Sequence, residues 1–325
     1  MTFSLADHWV WDFWIADDGD TFHLFYLHAP MSLGDPGLRH RNAVIGHATS
    51  LDLTNWVDHG RVIGPGQAGS ADATASWTGS VVRDDRQWRM FYTGSRFLTA
   101  DRVTNVESIV AATSSDLAEW ATLPGAILEA DDEWYEVLAD GSWHEQAWRD
   151  PWVVRDAAGG GWHMLITARA KSGGDSSRDR GVIGHATSTD LVEWKVQPPL
   201  SDPGSGFAHL EVVQWVEIEG RAAVIFSCDT PHLTGERARS GAEGGIWAVP
   251  APALGQHIAL DAAIRLSDDG LYAGRAIQAR NGQWMLLGFE NLGDHGTFVG
   301  RLSDPIPLRW GPDGQLRVDR AEAAA

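Results

Sequence analysis

Three acidic residues stand in similar settings far apart in the chain. They are Asp12 in Trp11-Asp12-Phe13-Trp14, Asp150 in Arg149-Asp150-Pro151-Trp152, and Glu211 in His209-Leu210-Glu211-Val212. Each lies in a short apolar segment of β-forming residues, where a charge is costly unless it has a partner or a task. Carboxylates held close together repel one another, and at least one then keeps its proton above its ordinary pKa. One ionised and one protonated carboxyl near neutral pH is what general acid–base chemistry needs, and glycosidic bond cleavage uses such a pair. A lone carboxylate in such a strand would be read as solvated or paired with an arginine. Three in matching settings favour a site.

The settings match because the chain repeats. Segments 45–56, 109–120 and 183–194 are near copies ending in Asp-Leu-x-x-Trp; 298–310 is a fainter copy, and 245–255 has lost the ending. Each is preceded by an apolar β-like run (22–27, 88–93, 162–167, 222–227, 284–289). Before each run lies a turn rich in Gly or Asp, and before that turn another strand (10–16, 77–83, 148–154, 209–215, 272–278). Strand, tight hairpin, strand, loop, strand and a short outer strand, five times over, predict an all-β fold: a five-bladed β-propeller. The blades fall at about 9–63, 76–128, 147–200, 208–262 and 272–318 within one domain over 1–325. Convincing helices are absent, and 95–107, 129–147 and 228–244 are expected to be loops.

First strands line the channel of a propeller. Aligning them by their shared ends sets Asp12, Thr78, Asp150, Glu211 and Ala273 at one register, a ring with three carboxylates. The Asp-Leu-x-x-Trp turns are read as structure: Asp52, Asp116 and Asp190 accept turn N–H groups, and Trp56, Trp120 and Trp194 cover blade edges.

Composition narrows the partners. Against 44 acidic residues the 325-residue chain has only 25 Lys and Arg, a net charge of −19, which disfavours nucleic acid and anionic membranes. The 17 tryptophans suit a neutral sugar as well as blade packing. Cys228, the one cysteine, rules out an intrachain disulfide and is expected to be a buried thiol. No apolar run is long enough to predict a membrane span. The opening residues lack the pattern of a secretory signal, so a cytoplasmic location is expected. The 13 histidines show no metal-binding spacing within one element; no metal and no cofactor are expected.

At these residues the sequence resembles the invertase and levansucrase clan, glycoside hydrolase families 32 and 68. Residues 10–14 are similar to the nucleophile segment of the levansucrases, and 22–30 to the strand after the nucleophile in the invertases. Trp77-Thr78-Gly79-Ser80 resembles the Trp/Phe-Ser-Gly-Ser motif, and Arg149-Asp150-Pro151 matches the Arg-Asp-Pro motif of both families. The resemblance implies a β-fructofuranosidase-like retaining enzyme. Asp12 would be nucleophile, Glu211 acid/base, and Asp150 a transition-state stabiliser. Arg149 would orient the carboxylates, with Trp11, Trp77 and Ser80 lining the sugar pocket. His28 is a further candidate contact; Arg39, His40 and Arg41 behind it are more simply read as solvated, although they could reach a second sugar or a phosphate. Residues 131–136, His144 and Glu145 could rim the funnel or form an ordinary acidic loop. The chain departs from the invertases in lacking the Trp-Met-Asn-Asp-Pro-Asn-Gly segment, in Leu27, in Val212-Val213 after Glu211, and in ending soon after the fifth blade, so no second β-sandwich domain is expected. Three alternatives remain open: an inverting arabinofuranosidase- or xylosidase-type propeller, a fructosyltransferase, and a non-catalytic sugar-binding propeller.

Overall fold

The computed structural model describes residues 2–100, 103–156, 158–174 and 176–319. Five antiparallel sheets follow one another along the chain. The first holds β1 (His8–Asp17), β2 (Phe22–Pro30), β3 (Val44–Ser50) and β4 (Val57–Ile63). The second holds β5 (Ala75–Arg83), β6 (Trp88–Phe97), β7 (Asn105–Ser114) and β8 (Ala121–Thr122). The third holds β9 (Trp148–Asp156), β10 (Gly161–Arg169), β11 (Gly181–Ser188) and β12 (Lys195–Gln197). The fourth holds β13 (Glu211–Ile218), β14 (Arg221–Cys228), β15 (Gly245–Pro250) and β16 (Ile264–Arg265). In the fifth, β17 (Leu271–Gln278) pairs with β18 (Trp284–Leu292), which carries β19 (Phe298–Leu302) and β20 (Ile306–Trp310); β21 (Leu316–Val318) closes the sheet.

The first strand of each sheet packs against those of its neighbours, and β17 of the last sheet returns to β1. This is the five-bladed propeller that the repeats predict. Middle strands are buried on both faces, which is why β2 reads as an almost unbroken apolar run. Hairpin turns are held by aspartates: Asp18 Oδ1 accepts the N–H groups of Asp20 and Thr21, and Asp84 Oδ1 those of Arg86 and Gln87.

The Asp-Leu-x-x-Trp turns are structural in detail. Oδ1 of Asp52, Asp116 and Asp190 accepts the second and third following N–H groups. The Leu between them takes a left-handed φ (66° at Leu53, 67° at Leu117, 63° at Leu191) and buries its side chain. That strain, of order 1–3 kcal/mol per residue, is offset by apolar burial and by the aspartate bonds. The Trp that follows seals a blade against its predecessor, edge-on at 5.5 Å for Trp120 on Phe25 and 5.4 Å for Trp194 on Phe91.

Two expected loops need correction. Both ends of 95–107 are strand, because β6 runs on to Phe97 and β7 starts at Asn105 and the two pair along their full length; residues 101 and 102 lie outside the described residues. The 228–244 segment contains a short helix, Gly235–Arg239. Among the described residues no helix is long and apolar enough to cross a membrane. Cys228 is a buried free thiol.

Candidate active site

Every first strand breaks its pairing at the same level. The register shifts between Trp11 and Phe13, Trp77 and Gly79, Arg149 and Trp152, Glu211 and Gln214, and Tyr272 and Arg275. A bulge turns a side chain away from the alternation of the strand, and here it does so five times around one channel. Asp150, Val212 and Ala273 adopt positive φ at the bulge (58°, 55° and 51°). This corrects the expected ring. Val212, not Glu211, shares the backbone position of Asp150 and Ala273, while Glu211 pairs as Arg149 and Tyr272 do. The alignment slipped because the extra unpaired residues are invisible in a strand read residue by residue, and 209–215 has no Arg-Asp end to anchor it.

The three carboxylates nevertheless meet. Asp12, Asp150 and Glu211 line one cavity of about 320 Å³, at the small end of the usual range of roughly 300–1,000 Å³ for ligand pockets. Asp12 Oδ2 accepts a 2.7 Å hydrogen bond from Thr78 Oγ1. Asp150 Oδ2 accepts from Thr167 Oγ1 (2.9 Å) and from the Val212 N–H (3.1 Å). The Asp150 N–H donates to Thr93 Oγ1, which donates to the Thr78 carbonyl, so blade two ties Asp12 to Asp150. Glu211 accepts from Arg149 Nη2 (2.8 Å) and from the Tyr272 hydroxyl (2.6 Å). Glu211 keeps 25% of its side chain exposed against 4% for Asp150, so solvent or a departing group reaches Glu211 more freely.

These surroundings separate the protonation states. Burial, reinforced by the Asp150 charge, pushes Asp12 up to about 7. Asp150 is raised for the same leading reason, against the pull of Arg149. Burial opposes ionisation of Glu211 too, but the neighbouring His209 ring, the Arg149 guanidinium and the Tyr272 hydroxyl outweigh it and hold Glu211 below its usual range. Arg149 is the hub, within 3.1 Å of both Glu107 and Glu145 as well as bonded to Glu211. Buried Glu107 is pushed up to about 8 by desolvation, against the pull of Arg149.

Trp11, Trp77, Phe97 and Phe289 give the cavity apolar walls. Trp77 is fixed by its Nε1–H, which donates to the His40 carbonyl at 2.7 Å. Arg39 lies over the Phe298 ring at 4.0 Å and the Trp11 ring at 5.7 Å. Both Arg39 and His40 line the cavity, which goes against reading them as merely solvated. His144 and Glu145 line it as well, whereas Glu136 is buried in a 2.7 Å ion pair with Arg169 and Tyr135 packs in the core on Trp148.

Two expected contacts lie elsewhere. Ser80 is buried outside the cavity, and its Oγ accepts the Val153 N–H at 3.0 Å as a link between blades two and three. His28 is packed between the rings of His8 and Tyr26, and the strand alternation gives the cavity Leu27 instead. Sequence reasoning missed Tyr272, which the correct bulge register would have set beside Arg149 and Glu211. It also missed Asn105, His209, Asp229 and His232, all cavity residues brought in by loops or strand ends.

Residues 14–299 match the family model described as "Glycosyl hydrolases family 32 N-terminal domain", a stretch that includes Asp150 and Glu211 and begins just after Asp12. The raffinose invertase of Escherichia coli is 25% identical over 300 residues, 89% of this chain and 54% of that protein. The sucrose-6-phosphate hydrolase of the same organism is 27% identical over 284 residues, 84% of this chain and 52% of that one. The fructan 6-exohydrolase of Beta vulgaris is 27% identical over 57% of this chain and 28% of its own. The chain thus spans about half the length of these curated relatives or less. Among solved structures, the inulosucrase of Halalkalicoccus jeotgali bound to kestose has the same fold, with TM-score 0.79 at 23% identity over 97% of this chain and 87% of that one. The Bombyx mori β-fructofuranosidase BmSUC1 superposes with TM-score 0.72 at 18% identity, over 99% of this chain and 64% of that one. A match running from the first sheet into the fifth settles the family: the chain belongs to glycosyl hydrolase family 32, over that family's N-terminal domain.

Proposed function

We propose that the protein cleaves β-fructofuranosidic bonds, in sucrose or short fructooligosaccharides, by double displacement with retention. The observation that carries this reading is the meeting of Asp12, Asp150 and Glu211 on one aromatic-walled cavity. Family membership and relatives named for raffinose, sucrose phosphate and fructan support the substrate class. Glu211 donates its proton to the glycosidic oxygen while Asp12 attacks the anomeric carbon, giving a fructosyl ester and a free leaving sugar. Water, losing a proton to Glu211, then hydrolyses the ester. Asp150, held by Thr167 and the Val212 N–H, accepts hydroxyls of the ring and faces the positive charge that develops on it.

Burial favours a proton on Asp12, while the Arg149 guanidinium and the Tyr272 hydroxyl favour the charge on Glu211, the reverse of what the first step needs. Moving one proton between two carboxyls leaves the charge of the site unchanged, so the reactive form is a tautomer of the resting form. A glycosidic oxygen at Glu211 and an electrophilic carbon at Asp12 both favour the swap.

The test is release of fructose from sucrose, raffinose and 1-kestose, with the configuration of the first-formed sugar read by NMR. Glu211→Gln should cost about 10²–10⁴ in kcat, the usual range for a lost acid/base group, and Asp12→Asn should abolish turnover in a folded protein. Near-normal turnover in either variant, or an inverted first product, refutes the assignment. New kestose-type products would show the same fructosyl intermediate passing to a sugar.

A further inference from the structure

One group of potential metal ligands on the cavity wall is used by no step of that reaction. His209 lies just ahead of β13, and Asp229 and His232 follow β14. One ligand atom from each lies within 4.8 Å of the other two, the one such group of three His, Cys, Asp or Glu side chains among the described residues. All three line the cavity.

The group is built rather than incidental. His209 is buried, 5% exposed, yet its Nδ1 has no hydrogen-bond partner among the described residues. Leaving a buried ring nitrogen unpaired costs about 1–3 kcal/mol, and an ion would remove that cost. The His209 and His232 rings are 4.3 Å apart, and His232 Nδ1 meets Asp229 Oδ1 at 2.5 Å. The two segments are joined by the backbone as well, because the Ala208 N–H donates to the His232 carbonyl at 2.9 Å.

The chemistry of the donors selects the ion. Two imidazoles and one carboxylate suit zinc and its neighbours, whereas calcium and magnesium prefer oxygen donors throughout. Three protein ligands leave a fourth position open, as in zinc sites that take up a further ligand. We propose that His209, Asp229 and His232 bind one divalent transition-metal ion of the zinc class on the cavity wall beside Glu211, with its open position toward the cavity. This inference stands whether or not the fructosidase reading does, because binding is read without turnover.

The full chain, stripped with chelator, is titrated with Co²⁺, and Zn²⁺ is then used as competitor. Visible absorption of the bound ion reports coordination. Quenching of tryptophan fluorescence that is lost in Trp143→Phe, whose native ring is 6.4 Å from His209 and 6.3 Å from His232, reports the place. One equivalent should bind, and Zn²⁺ should displace it while Ca²⁺ and Mg²⁺ do not. His232→Ala and Asp229→Asn, both at less buried positions than His209, should each weaken binding by at least about 10-fold, with unchanged circular dichroism. His257→Ala, at an exposed histidine paired with Asp202, should leave it unchanged. No saturable one-equivalent binding, equal displacement by Ca²⁺, or affinity insensitive to both ligand variants overturns the site.

Discussion

Thr78→Val removes a hydroxyl that donates to Asp12 across 2.7 Å, and changes little else in shape. A hydrogen bond to an ionised group contributes about 1.5–3 kcal/mol, which corresponds to roughly 10–150-fold. The bond stabilises ionised Asp12, so its loss raises a pKa already near 7 and makes the reactive tautomer, with Asp12 ionised and Glu211 protonated, rarer by that factor. Where the nucleophile is the weaker acid of the pair, the plateau of kcat/KM against pH is set by the population of this tautomer, and its alkaline limb by Asp12. The variant should therefore show a plateau about 10–150-fold lower and an alkaline limb moved to higher pH. Thr78→Ser should restore both. The assay is fructose release from sucrose across the pH range for the three proteins. An unchanged plateau with only the acid limb displaced would mean that Asp12 is the stronger acid. That result would refute the proton arrangement argued from burial, Arg149 and Tyr272.

Other consequences are open to measurement. Asp12 has its pKa raised from 3.8 to about 7 in the folded protein, so the unfolded chain releases its proton first and stability falls as pH rises through that window. Asp12→Asn should then stabilise the protein by up to about 4 kcal/mol above the folded pKa and by little below the unfolded one, as chemical denaturation at the two ends would show. Ser80→Ala should cost about 1–3 kcal/mol of stability by leaving the buried Val153 N–H unpaired, with KM for sucrose unchanged; a large rise in KM would return Ser80 to the sugar pocket. Buried His47 and His185 stack on His23 and His163, and burial lowers both from 6.5 to about 4. The unfolded chain binds protons at these positions between those values, so stability should drop as pH falls through that window. His47→Phe with His185→Phe should flatten that slope; an unaltered slope would show that the acid sensitivity arises elsewhere.

The sequence by itself determined the repeating unit. Apolar middle strands, aspartate-held hairpins and Asp-Leu-x-x-Trp turns are local patterns, and five of them in a row have few ways to pack other than a closed ring. It also marked Asp12, Asp150 and Glu211, because charges within apolar β segments stand out. It did not determine how they meet. That depends on five bulges, and a bulge is a property of two paired strands that one strand read alone does not display. The same holds for the arginine hub: Glu145 is four residues from Arg149, but Glu107 and Glu211 come from the blades on either side, and only the packing of these blades brings them to one guanidinium. His209 and His232 lack metal-binding spacing for a related reason, since the distance between them is set by a hairpin and a backbone bond rather than by the turn of one helix. Local composition made the blades; assembling them buries Asp12, which pushes it up, and brings to Glu211 the Arg149 and Tyr272 contacts that hold it down.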